Sequence, residues 1–378
     1  MWLSSLGRHR SWDVGSEAED TTLQRTPLLL DPRAKTIHLC SGPERKDSYS
    51  AQAKMLGIDC TNIDYCLDVS MDLTDDACWD PIIGDIVSGV YEGAQMDPQC
   101  STFSRVRGQC GGPRPLRAAN DIEIRGRRDL TPEEKMKVDK DNILAKRMAI
   151  TAHELMRQSR PWIIENPAHS DDAVSIFNLP EYKFLRTQPG VCMKTFVQCP
   201  TGSYSAKPTT VLYFGMTIED ALFPRTCPHK PRWWRFTSGK WLWAAHPPAI
   251  GKMRAVIAQR WHPRLRQERL KQFISKATAR YTGELNRRLV SAMARGIHEH
   301  RLKRRRHLQN RLLEAKSAKD PSTAEPDPGT IAVSSLGSAQ QVLQPNAIRD
   351  PVATSLKRKL ADEAYAGMRH PAKILKQG

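Results

Sequence analysis

Lys35-Thr36-Ile37-His38-Leu39-Cys40-Ser41-Gly42-Pro43 decides the fold reading, because it ends one kind of sequence and begins another. Residues 1–34 are polar and irregular, and they read as an unstructured leader. From Lys35 onward, short apolar runs alternate with stretches of helical spacing, the pattern of a parallel sheet with crossover helices. Strands are expected at 36–40, 61–65, 85–90, 162–165, 195–199 and 209–214. Between the third and fourth, Thr131-Pro132-Glu133-Glu134 supplies an N-cap, a first-turn proline and a glutamate three residues after the cap. Ile143, Met148, Ala152, Leu155 and Met156 then keep helical spacing until Arg160-Pro161 stops it.

The rest of the chain is less regular. Residues 216–248 read as an irregular, aromatic and basic insert containing Trp233, Trp234, Trp241 and Trp243. Pro247-Pro248 opens an expected helix through Ile250, Met253, Ile257 and Trp261. Residues 263–316 read as a basic helical extension, and 317–378 as a mostly disordered tail with a short terminal helix. The expected fold class is therefore α/β: a doubly wound, mostly parallel sheet over 35–262, carrying the short insert, with the extension and tail following.

The 378 residues carry a formal charge of +17. Sixteen basic and four acidic residues lie between Arg264 and Lys316, so that stretch alone holds +12. Such asymmetry points to a polyanionic partner, nucleic acid before anionic membrane. Nine cysteines without a Cys-x-x-Cys pair do not make a disulfide framework. No window approaches the ~18 apolar residues of a membrane span, and charges within the first thirty residues argue against a signal peptide. The expectation is an intracellular protein, nuclear if the host is eukaryotic and otherwise cytoplasmic, and monomeric by default.

Two segments carry chemistry. Asp97-Pro98-Gln99-Cys100-Ser101-Thr102-Phe103-Ser104 places a cysteine behind a proline, on a turn following a strand. Open α/β sheets bind ligands at that carboxyl edge. Pro161-Trp162-Ile163-Ile164-Glu165-Asn166-Pro167 ends a second apolar strand in a carboxylate, again at that edge. A lone cysteine is by default a buried filler, and a lone glutamate a solvated strand-end acid; the pair shifts both readings.

Together the two segments resemble the C5-cytosine methyltransferase family, which has a Pro-Cys nucleophile loop continuing to Phe-Ser and a downstream Glu-Asn dipeptide. Gln99 and Ser101 depart from that pattern, where many members have Pro and Gln. The resemblance spans roughly residues 35–260. It implies a methyltransferase fold, S-adenosylmethionine as cofactor, and DNA as partner. Cys100 would add to carbon 6 of a flipped-out cytosine, Glu165 would stabilise the developing negative charge through a proton at ring nitrogen 3, and Asn166, its partner in the dipeptide, is a further catalytic candidate. Lys207, in Lys207-Pro208-Thr209-Thr210, stands where the family supplies arginines near the base. On the cofactor side, Ser41 and Gly42 correspond to the glycine loop, Asp64 to the ribose acid and Asp72 to the adenine contact. Helix capping is the preferred reading of Asp75. An acid ending the second strand would equally suit a nicotinamide dinucleotide; the Cys100 and Glu165 pair favours a methyl donor.

Arg105 and Arg107 follow the nucleophile and are candidates to lower its pKa or hold phosphate, with a solvated basic loop as the alternative. Trp233 and Trp234, in the position of a recognition region, are candidates for stacking on bases, with cover of the sheet edge as the alternative. Arg304, Arg305 and Arg306 are candidates for the phosphate backbone. Cys227-Pro228-His229 with Cys192 and Cys199 invites a zinc reading, which is set aside because Cys192 and Cys199 are too far apart for one knuckle; no metal is expected. Two alternatives stay open: the same chemistry on RNA, and a non-catalytic nucleic-acid-binding protein on a decayed methyltransferase core.

Overall fold

The computed structural model describes residues 33–104, 107–108, 113–203, 205–230, 233–237, 240–244, 246 and 281–317. Strands and helices alternate through β1 (Ala34–Leu39), α1 (Tyr49–Met55), β2 (Ile58–Ile63), α2 (Asp76–Ser88), β3 (Gly93–Met96), α3 (Pro132–Arg157) and β4 (Trp162–Pro167). They are followed by α4 (Pro180–Arg186), β5 (Val191–Val197), β6 (Pro208–Phe214), β7 (Trp233–Thr237), β8 (Lys240–Ala244) and α5 (Gly283–Ser317).

Six strands form one sheet in the order β2-β1-β3-β4-β6-β5. β1 pairs in parallel with β2 and β3, and β3 with β4. β6 runs antiparallel to both β4 and β5. The fold is α/β and compatible with a Rossmann-like arrangement, but the sheet is mixed rather than mostly parallel. The reason is connection length. Parallel neighbours need a crossover of about a dozen residues or more, and only 198–207 join β5 to β6.

β1 has β2 on one side and β3 on the other, so the chain leaves it first in one direction and then in the other. The carboxyl ends of β1 and β3 therefore flank a topological switch point, where open α/β sheets hold ligands.

Both faces of the sheet are covered. Alternation along each strand sends adjacent side chains to opposite sides. Ile37, Leu39, Met96, Trp162 and Ile164 pack with Trp79 and Ile86 of α2, Met148 and Leu155 of α3, and Tyr182 and Leu185 of α4. Ile163 and Val211 face the other way, onto Tyr49 and Ala53 of α1 and Leu285, Leu289, Met293 and Ile297 of α5. Each large side chain fully buried in this way contributes roughly 1.5–3 kcal/mol. At Gly296 a side chain would bring a Cβ within 2.6 Å of the Gly215 carbonyl, so α5 approaches the end of β6 backbone to backbone.

The expected capping box forms: the Thr131 hydroxyl accepts from the Glu134 amide, and the Glu134 carboxylate from the Thr131 amide. The strand expected at 85–90 does not. Those residues finish α2, whose Trp79, Ile82 and Ile86 are buried and which Gly89 ends at φ 83°. The true strand lies three residues on, as the short Gly93-Ala94-Gln95-Met96 run. The insert expected to be irregular contains a hairpin, with Trp234 opposite Trp243; Ser238-Gly239 between aromatic runs is its sequence signal. Within the segment read as a basic extension, 285–297 carries a core face, and only 303–316 is continuously exposed. Of the leader expected at 1–34, residues 1–32 lie outside the described residues and Ala34 instead opens β1; of the tail expected at 317–378, Ser317 instead ends α5 and the rest lies outside, as do the helices expected within 247–280.

Candidate active site

β3 leads directly into Asp97-Pro98-Gln99-Cys100, so Cys100 reaches the carboxyl edge as its loop predicts, although its strand was expected elsewhere. The loop is held from several elements at once. Asn166, at the end of β4, donates from Nδ2 to the Pro98 carbonyl over 3.2 Å in a buried setting. The Thr102 hydroxyl donates to Asp141 Oδ2 of α3 over 2.5 Å and accepts from Arg117 Nε and Nη2 at 3.0 and 2.9 Å. The Arg117 guanidinium also lies 3.7 Å from the centroid of the buried Phe103 ring. Desolvation lowers the Arg117 pKa to about 10, against the pull of Asp141. From outside, Arg107 donates to the carbonyls of Ser101 (2.7 Å) and Arg114 (3.0 Å), so it braces the loop. Arg105 lies outside the described residues.

Cys100 is half-buried. Burial pushes its thiol up to about 11; the charge of Glu165 adds to this and that of Lys207 opposes it. Glu165 is buried, and burial raises its carboxyl to about 8, again with Lys207 pulling downward and Asp97 pushing upward. Its Oε2 accepts a short hydrogen bond from the Tyr281 hydroxyl, while its Oε1 has no hydrogen-bond partner. Lys207 has a left-handed backbone, φ 32°, uncommon for a non-glycine residue and often stored at functional sites. Its Nζ stands 4.7 Å from the centroid of the Tyr281 ring. The fold thus brings Cys100, Glu165, Asn166 and Lys207 together. Tyr281, just before α5 and 116 positions from its glutamate, was missed by sequence reasoning, as were Asp141 and Arg117. Nothing in local spacing marks any of the three.

The cofactor-side residues line the other half of the switch point. The turn after β1 contains two left-handed residues, Cys40 at φ 59° and Gly42 at φ 69°. A Cβ on Gly42 would meet nothing within 4 Å, so glycine is needed there for its backbone and not for room. Asp64, at the end of β2, accepts from the amides of Gly42 and Cys66, each at 2.8 Å. Ser41 bonds its own neighbour, the Gly42 carbonyl, at 3.3 Å. Asp72 accepts from the Thr74 amide and hydroxyl at 2.9 and 2.7 Å. Asp75 caps α2 through the Ala77 amide, as preferred from the sequence. Cys40 sits amid Asp64, Asp97, Asp141 and Asp72, whose charges join burial in raising its thiol well above the usual range. The acids gathered around this turn would suit a ligand bearing positive charge and hydroxyl groups.

Arg304, Arg305 and Arg306 lie on the exposed half of α5. Trp233 and Trp234 lie on β7, opposite Ala244 and Trp243. No helix among the described residues is long and apolar enough to cross a membrane. No protein-family model and no curated protein matches the chain.

Proposed function

We propose that the chain transfers a methyl group from S-adenosylmethionine to carbon 5 of cytosine in DNA, with Cys100 as nucleophile. The observation that carries this reading is the convergence of Cys100, Glu165 and Lys207 at the carboxyl ends of β3 and β4, where burial pushes the Glu165 carboxyl up to about 8 and the Cys100 thiol up to about 11.

Carbon 5 of cytosine becomes nucleophilic only after a thiolate adds to carbon 6. Cysteine suits that step by its intrinsic nucleophilicity. As the S–C6 bond forms, electrons move from the C5–C6 double bond toward ring nitrogen 3, where a protonated Glu165 stabilises them. Asn166 fixes the distance between the strand end and the nucleophile loop through Pro98. The Ser41-Gly42 turn, Asp64 and Asp72 would hold S-adenosylmethionine, which would supply an electrophilic methyl group to carbon 5 and leave as the neutral thioether. The carbon 5 proton then leaves to base, and the S–C6 bond breaks to return the thiolate.

The competent pair carries one proton, on Glu165 and not on Cys100. Because Glu165 loses its proton first, this form is a minor tautomer of the singly deprotonated pair before substrate binds. Its population still follows the total singly deprotonated pair. Activity should therefore rise with pH through about 8 and fall only near 11.

A duplex hides carbon 6, so the base must be flipped out; the exposed basic half of α5 would hold phosphates. The test is methyl incorporation into matched cytosine-containing DNA and RNA by wild-type protein and Cys100→Ala. DNA labelling that needs Cys100 supports the reading. RNA-only labelling overturns the substrate, and an active Cys100→Ala overturns the mechanism.

A further inference from the structure

We infer that Cys199, Cys227, His229 and His246 form a structural zinc site that clasps the base of the β7–β8 hairpin. Each offers one ligand atom, and the four atoms lie within 4.8 Å of one another. Cys227 Sγ is 3.4 Å from His229 Nδ1 and 3.2 Å from His246 Nε2. Tetrahedral zinc with bonds of ~2.3 Å to sulfur and ~2.0 Å to nitrogen separates such donors by roughly 3.5 Å. The two imidazoles stand at 82° with centroids 5.1 Å apart, which lets both aim at one point without stacking.

The donor set selects the metal class. Two thiolates and two imidazoles favour zinc over hard, oxygen-seeking cations. Four protein ligands leave no open position, the mark of a structural site. On binding, the Cys199 and Cys227 thiols each lose a proton to solvent, and the two thiolates neutralise the dication.

Placement gives the site its role. His229 precedes β7 and His246 follows β8, so the two bracket the hairpin, while Cys199 lies in the turn that closes β5. A two-stranded hairpin alone is marginal in water, and metal-binding free energy becomes folding free energy. The Cys199 turn also carries Thr201, bonded to Thr282 beside Tyr281 (3.1 Å), and its loop runs on to Lys207. The clasp would thus fix the tryptophan-bearing hairpin to the loop that supplies Lys207. The sequence reading set metal aside because it weighed Cys192, which is exposed on β5, and did not see His246.

The experiment is zinc analysis of the full chain purified without chelator, together with the visible spectrum after cobalt exchange. Expected are one zinc per chain, a tetrahedral cobalt spectrum with thiolate charge-transfer bands, loss of metal in Cys227→Ser and His246→Ala, and retention in Cys192→Ser. Should the ligand variants fail to fold, the wild-type cobalt spectrum still decides. Folded protein that takes up neither metal, or intact mass showing a Cys199–Cys227 disulfide, would overturn the site. None of these readouts depends on methyl transfer.

Discussion

Two loops meet at the switch point, and they are built differently. The loop after β3 is fixed by Asn166, Asp141, Arg117 and Arg107, with Phe103 sunk beneath it. The turn after β1 is held by fewer ties, the Cys40 amide to the Ile63 carbonyl and the Gly42 amide to the Asp64 carboxylate. A nucleophile acts through one atom of the protein, so its aim must be set before substrate arrives. A cofactor turn acts through what it accepts, and the ligand itself completes its packing.

The strongest way to break this comparison is at the nucleophile. Cys100→Ala should lower methyl transfer on the order of 10⁴-fold or more while salt-sensitive DNA binding persists. Next is Glu165→Gln, which should cost about 10²- to 10⁴-fold in rate and remove the levelling of rate above pH 8, so that rate keeps rising toward the Cys100 value near 11. Its effect on stability has a definite sign. Glu165 binds its proton more tightly folded than unfolded, so its contribution is complete below about 4.5 and lost as pH rises through about 8. Melting of wild type and Glu165→Gln across that window should diverge by a few kcal/mol, roughly 5 at most, with the variant the flatter.

Asp141→Ala should destabilise the protein by about 3 kcal/mol, because it leaves the buried Arg117 charge without its acid. Denaturant melts should show the loss, and cofactor affinity should change less than turnover. Asp64→Asn tests the other loop: cofactor binding by calorimetry should weaken about tenfold, with about 1 kcal/mol lost in melting because one of the Gly42 and Cys66 amides loses its acceptor. Replacing Arg304, Arg305 and Arg306 by alanine should be mildest at low salt, lowering the slope of log affinity against log salt by about 3 at most.

The sheet edge was legible in the sequence where apolar runs end in distinctive residues. Cys100, Glu165 and Asn166 could be read that way, and so could the capped start of α3. β3 could not, because Gly93-Ala94-Gln95-Met96 is short and has no β-branched residue, while the α2 terminus beside it is rich in isoleucine and valine. The supporting residues failed for another reason. Asp141, Arg117 and Tyr281 act across 15 to 116 positions of chain, a pairing only the fold makes. The Cys199, Cys227, His229 and His246 group shares that property, with one ligand past a hairpin that looked irregular. Local spacing reports strand ends and caps; it is silent on what strand order brings together.

The most direct measurement is intact-mass and peptide analysis of the full chain incubated with S-adenosylmethionine and a DNA oligonucleotide carrying 5-fluorocytosine, which blocks loss of the carbon 5 substituent. The account predicts one cofactor-dependent covalent adduct per chain, mapped to Cys100 and absent in Cys100→Ala. No adduct on folded, DNA-bound protein, or an adduct on another cysteine, would contradict it.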